Sequence, residues 1–219
     1  MFDFSRLVVE YLEARRAEKY KPRQIGIYYA SELGSECLRQ SYFRYTIEKP
    51  LESFTLGVFA IGDLLHDWFE KAIKEVLGKQ GHKVEVEKEV PPYKCDIFEI
   101  HGRADLYVDE CFVADIKTVS PNTFKYQLPK QPHIAQINFY MHQLRAEKGI
   151  IIYLDKYALR IRHYEVSFDP DLFDQSISQI RRLHDYLIEK KIPSRCESYP
   201  DKYPCTYCNY REECEEADA

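Results

Sequence analysis

Two short segments carry the residues best suited to chemistry. GRADLYV contributes Asp105, and beyond the turn residues Asp109 and Glu110 the segment FVADIKTV contributes Asp115 and Lys117. If Asp109 and Glu110 form the loop of a hairpin, antiparallel pairing sets Asp105 opposite residue 114 or 115, and the two acids meet across neighbouring strands. Side chains alternate along a strand, so Asp115 and Lys117 share a face while Ile116 points the other way, into a core. Paired carboxylates offer hard oxygen ligands to a divalent cation, which offsets the charge that builds in phosphodiester cleavage and lowers the pKa of the attacking water. A lysine two residues past the second acid can hold that water or stabilise charge on phosphate oxygens. Asp-x-Lys by itself is also what a surface ion pair looks like. The apolar neighbours Phe112, Val113, Ala114, Ile116 and Val119 instead mark an interior strand, where unpaired charge is costly and adjacent carboxylates call for a cation.

Further candidates lie on helices. His66, in IGDLLHDWFE, can supply an imidazole ligand from a helix next to the hairpin, although a histidine beside Trp68 is equally an ordinary helix residue. Gln136 and Tyr140, in QINFY, are four apart and project from one helix face, where an amide and a phenol can contact phosphates or position Lys117.

The elements that must hold these residues follow from periodicity. Helical spacing runs from residue 4 to 20, from Ser31 as N-cap to Tyr45, from Leu56 to Leu77, from 133 to 148, and from Pro170 to about Lys190. Strands are expected from Lys83 to Val90, ending at Pro91-Pro92, then from Phe98 to Val108 and Cys111 to Val119. Two more are expected from Gly149 and over Leu159 to Phe168. This order implies an α/β core with a helical N-terminal part.

Bulk properties narrow the partners. A net charge of -5 over 219 residues argues against nonspecific binding of nucleic acid by overall charge. DNA contact is left to local clusters such as Lys19 to Arg23, Arg39 to Arg44 and Arg160 to Arg162. No apolar run approaches a membrane span and the N-terminus lacks signal-peptide order, so a cytoplasmic chain without membrane association is expected. Three of the seven cysteines cluster in CTYCNYREEC as Cys205, Cys208 and Cys214, in a tail too polar to fold by burial. With Cys37 they make a four-thiolate site tying the N-terminal helices to the C-terminus, suited to zinc or an iron-sulfur cluster. Cys95 and Cys111 read as core residues, and Cys196 is a possible substitute ligand.

Taken together, His66, Asp105, the DIK of residues 115–117, Gln136-x3-Tyr140 and the set Cys37, Cys205, Cys208 and Cys214 resemble a known family. They look like the CRISPR-associated RecB-like nucleases called Cas-four, within the PD-(D/E)XK superfamily, and the motifs span nearly the whole chain. The resemblance implies a restriction-endonuclease-like core with a central mixed sheet flanked by helices. Residues 51–191 would form the nuclease core, and 1–50 with 192–219 the iron-sulfur part of a single domain covering 1–219. It implies a DNA substrate and Mg²⁺ or Mn²⁺ held by His66, Asp105, Asp115 and the Ile116 carbonyl. Lys117 would be the catalytic lysine, Gln136 and Tyr140 the DNA-binding Q-x3-Y motif, and the four cysteines the ligands of a [4Fe-4S] or [2Fe-2S] cluster. Asp115 stands where many relatives carry Glu. The implied role is exonuclease processing of DNA ends for spacer acquisition, with the spacer-integrase complex as partner. A nuclease subunit of a helicase-nuclease repair system, or a catalytically silent iron-sulfur DNA-binding subunit, is the alternative; the chain itself has no P-loop.

Overall fold

A run of β-branched and aromatic residues from 84 to 119, broken by two turns, builds the strands on which the molecule is organised. The computed structural model describes residues 2–19, 22–126 and 128–217. In chain order the elements are α1 (Phe4–Lys19), β1 (Ile27–Tyr29), α2 (Leu38–Thr46), α3 (Ser53–Lys79), β2 (Val84–Lys94), β3 (Glu99–Val108) and β4 (Phe112–Val119). They continue with α4 (Pro121–Tyr126), α5 (Gln131–Leu144), β5 (Lys148–Asp155), β6 (Ile161–Val166), α6 (Pro170–Ile188) and α7 (Arg211–Glu216). The sheet is mixed and helices flank it, as expected for a restriction-endonuclease-like core.

β3 sets the topology. β2 pairs antiparallel along one edge of it from Val84 to Lys94. The other edge is shared: β1 runs parallel to Glu99–His101, and β4 runs antiparallel to Leu106–Val108. The sheet therefore forks along β3 between His101 and Leu106. β5 continues it parallel to β4, and β6 closes it antiparallel to β5. Asp109 and Glu110, both at positive φ, make the turn between β3 and β4.

Alternation on β4 sorts its side chains into two cores. Val113 and Val119 join the larger one, with Ile137 and Tyr140 of α5 and Ile180 of α6. Ala114 and Ile116 join a smaller one beneath α3, with Phe69, Leu106 and Leu154. Complete burial of Ile116 is worth roughly 1.5–3 kcal/mol. That clamp fixes β4 so that Asp115 and Lys117 must face α5.

Several boundaries differ from expectation. The helix expected from Ser31 to Tyr45 is broken: Gly34 sits at φ +67, and α2 starts only after Cys37, whose Sγ accepts the Gln40 N–H at 3.4 Å. Ser31 lies instead in a short 3-10 turn. Pro91-Pro92 does not end β2, because the strand lies at the sheet edge and absorbs the prolines in a register shift between Val90 and Tyr93. Helix α5 stops at Leu144 rather than 148, since Arg145 takes the left-handed conformation and caps it with its N–H. The strand β1 and the short helices α4 and α7 have no counterpart in the periodicity, being only three to six residues long. Tyr20 and Lys21, expected at the end of α1 and in the first basic cluster, lie outside the described residues. Among the described residues no helix is long and apolar enough to cross a membrane.

Candidate active site

The fork in the sheet is where the acids gather. Pairing of β3 with β4 stops at Leu106 opposite Ala114, so the next facing pair is Asp105 and Asp115. There the backbone ladder gives way to a side chain: the Ile116 N–H donates to Asp105 Oδ2 at 2.5 Å. A carboxylate satisfied by strand backbone is held rigidly, which is what a metal ligand needs.

Asp115 is 2 % exposed and sits in a polar network. Its Oδ1 accepts from Gln136 Nε2 at 3.1 Å, and its Oδ2 lies 2.7 Å from Lys117 Nζ. The second contact is an ion pair without hydrogen-bond geometry, so the buried Oδ2 has no hydrogen-bond donor. Lys117 Nζ donates instead to Gln136 Oε1 at 2.9 Å. Gln136 Nε2 also donates to the Tyr140 hydroxyl at 2.8 Å, and that hydroxyl donates to the Arg103 carbonyl at 3.0 Å. Helix α5 thus anchors on β3 through Tyr140 and steers the acid and lysine of β4 through Gln136. Both α5 side chains are buried, the opposite of a surface poised to touch DNA directly.

Tyr140 packs against Gly102, where a Cβ would come within 2.5 Å of the ring. Gly102→Ala is therefore expected to push the ring off the Arg103 carbonyl. The cost should be about 1–3 kcal/mol, read as a lower denaturation midpoint at unchanged m-value.

On the opposite side, α3 brings His66 to the fork. Its Nδ1 stands 3.7 Å from Asp105 Oδ2, beyond hydrogen-bond range. Glu70, one turn further along α3, is buried, and one ligand atom each from His66, Glu70 and Asp105 lie within 4.8 Å of one another. The only sequence signal for Glu70 is its four-residue spacing after His66, which puts both on one helix face. Burial, then Lys117, lowers the His66 pKa, leaving the neutral imidazole that a cation requires. Burial, then Glu87, pushes the Glu70 carboxyl up.

Asp105 is raised from 3.8 to about 7, first by burial and then by the charge of Asp115. The metal-free folded protein keeps a proton there that the unfolded chain releases near 3.8. Its stability should therefore fall as pH rises from about 4 to about 7 and level off above that. Chemical denaturation in EDTA across this range checks the slope, and added Mn²⁺ should flatten it. Two carboxylates, one buried oxygen lacking a donor, a neutral imidazole and a carboxyl unwilling to ionise alone form a donor set that fits a hard divalent cation.

The cysteines meet about the other end of the chain. Cys37, Cys196, Cys205, Cys208 and Cys214 line one cavity between α2 and the C-terminal segment, together with the buried Arg39. Cys205 Sγ lies 3.2 Å from Cys196 Sγ, and Gln40 Nε2 donates to Cys208 Sγ at 3.4 Å across 168 residues of chain. Burial pushes the Cys37 thiol up to about 11 and the Cys205 thiol to about 12, with Cys196 adding to both, so binding a metal here must displace protons. Arg39 Nη2 and Arg195 Nη2 donate to the Cys214 carbonyl at 3.3 and 3.1 Å. Convergent thiols beside the buried Arg39 and the half-buried Arg195 fit a thiolate-bound metal of net negative charge. Cys95 packs against the main core and Cys111 follows the β3–β4 turn, both away from this cavity.

The expected basic clusters are spent differently. Arg39 is buried at the cysteine cavity and Arg44 bonds Gln40. Arg160 pairs with Asp155 at 2.6 Å, and Arg162 donates to the Phe124 carbonyl.

Three comparisons bear on kinship. A search of curated proteins finds no match. Among solved structures, SSO0001 aligns over 97 % of this chain and 96 % of its own, with a TM-score of 0.66 and 22 % identity. A putative exonuclease from Eubacterium rectale aligns over 90 % and 91 %, with a TM-score of 0.51 and 11 % identity. At these identities the likeness is one of fold. The family model described as the PD-(D/E)XK nuclease superfamily matches residues 70–215, from the acid of α3 through the forked hairpin and α5 to the last cysteines. Since that match takes in well over half of the 219 residues, the chain belongs to the PD-(D/E)XK nuclease superfamily.

Proposed function

We propose that this chain is a DNA nuclease of the Cas-four kind, acting on single-stranded ends with Mg²⁺ or Mn²⁺ held by His66, Asp105, Asp115 and the Ile116 carbonyl. The observation that carries this reading is the Lys117 ammonium, held between Asp115 and Gln136 at the fork where Asp105 and His66 converge. A bound cation would supply charge neutralisation at the scissile phosphate and a lowered pKa for the attacking water.

The chain's own groups do the rest. Lys117 presents a fixed positive charge where phosphate oxygens gain negative charge, and its position costs no reorganisation because Gln136 already holds it. Asp105 and Asp115 bind in their ionised forms, and Glu70 adds a carboxylate from the face of α3 that carries His66. Gln136 and Tyr140 are positioning residues in this reading; DNA feels them through Lys117. The five thiols around one cavity support an iron-sulfur cluster held by Cys37, Cys205, Cys208 and Cys214, [4Fe-4S] by preference, that staples 192–219 to the first 50 residues.

In a CRISPR system such an enzyme would trim DNA before spacer integration, with the spacer integrase as partner. The pairing of nuclease motifs with a four-cysteine set in one chain supports that role. The direct test is Mn²⁺-dependent degradation of single-stranded DNA. Cleavage that persists in EDTA, or in Asp105→Ala loaded with Mn²⁺, would contradict the assignment.

A further inference from the structure

Four thiolates complete a tetrahedral or cubane site, yet five thiols line this cavity. The fifth, Cys196, is no bystander. Its Sγ lies 3.2 Å from that of Cys205, and it is also in side-chain contact with Cys37. Its backbone is tied down on both sides: Arg195 donates to the Cys214 carbonyl at 3.1 Å and stacks over Tyr199 at 4.2 Å, while the Tyr199 N–H donates to the Cys196 carbonyl. The loop therefore presents this thiol to the cavity, beside Cys205 and on the segment leading to it.

We propose that Cys196 is a reserve ligand of the iron-sulfur cluster, able to take the place of Cys205. The inference rests on the cluster reading above. In the exchange the Cys205 sulfur-iron bond breaks and that thiolate takes up a proton, while the Cys196 thiol gives its proton to solvent and forms the new sulfur-iron bond. No electron moves. Cys208 instead accepts from Gln40.

The test is anaerobic reconstitution with iron and sulfide, followed by iron and acid-labile sulfide content per chain and visible charge-transfer absorption. Wild type, Cys205→Ser, Cys196→Ser, Cys208→Ser and the double variant Cys196→Ser/Cys205→Ser are compared, with circular dichroism reporting the fold. Expected is a cluster in wild type, Cys196→Ser and Cys205→Ser, the last at no less than about half occupancy, and an occupancy about tenfold lower in Cys208→Ser and the double variant. Cys205→Ser as empty as the double variant, or a double variant as full as wild type, would overturn the reserve-ligand role while leaving the cluster itself in place. A wild type that takes up no iron would overturn the cluster reading and the proposal with it.

Discussion

Lys117→Ala is expected to cut DNA about 10²–10³-fold more slowly than wild type while still binding Mn²⁺. The lysine gives Asp115 its closest cation, at 2.7 Å, and Gln136 Oε1 its donor, at 2.9 Å. Without it the charge that builds on the phosphate loses a fixed counter-charge, but Asp105, Asp115 and His66 remain. The loss belongs in kcat, since the lysine is proposed to act on charge that develops during reaction. Metal-free Lys117→Ala should also be less stable by about 1–3 kcal/mol, because Asp115 is left buried with one fewer partner. Mn²⁺ should restore that stability without restoring cleavage. Lys117→Met, which keeps the packing of the stem, separates the charge from the shape and should be equally slow. Wild-type rates in either variant would remove Lys117 from the chemistry.

Cys208→Ala should act on the frame of the molecule. Its sulfur accepts from Gln40 across 168 residues of chain, so a metal cluster at this point closes about three quarters of the sequence into a loop. Releasing a closure of that length costs about 4–5 kcal/mol in chain entropy, equivalent to a fall in Tm of about 10 °C or more. Besides a cluster, the tail is held by the Lys49–Glu213 ion pair, by Tyr210 against Phe43 and by the two arginines at the Cys214 carbonyl, while none of the residues of α7 is buried. Asp105, Asp115 and Lys117 are held by bonds within β3, β4 and α5, so the fork should keep its geometry. Thermal unfolding and limited proteolysis of the C-terminal segment read the effect; an unchanged Tm together with full iron loss would show that the cluster does not brace the fold.

Much of this was legible in the sequence, and the limits have physical causes. The alternation of FVADIKTV placed Asp115 and Lys117 on one face and Ile116 in a core, because a strand clamped between two apolar layers has only one register. Gln136 and Tyr140 were recognisable by their four-residue spacing. Their partners were not, since the Arg103 carbonyl and the packing against Gly102 depend on how α5 crosses β3. The fork itself left no local trace. It exists because the three-residue β1 takes the edge of β3 that β4 would otherwise continue along, a long-range pairing that periodicity cannot register. Glu70 was within reach, one helical turn past His66, but a lone acid on a charged helix gives no sign of burial. The place of Cys196 beside Cys205 depends on Arg195 reaching the Cys214 carbonyl, again a contact between distant segments.

The forked acids and their lysine are proposed to form a divalent-metal nuclease centre. The most direct test is cleavage of end-labelled single-stranded DNA in Mn²⁺ by anaerobically purified wild type and by Asp115→Ala. Expected are loss of the label by wild type, none in EDTA, and none by a folded Asp115→Ala protein. Undiminished cleavage by metal-saturated Asp115→Ala, or no cleavage by metal-replete, cluster-loaded wild type, would contradict the proposal.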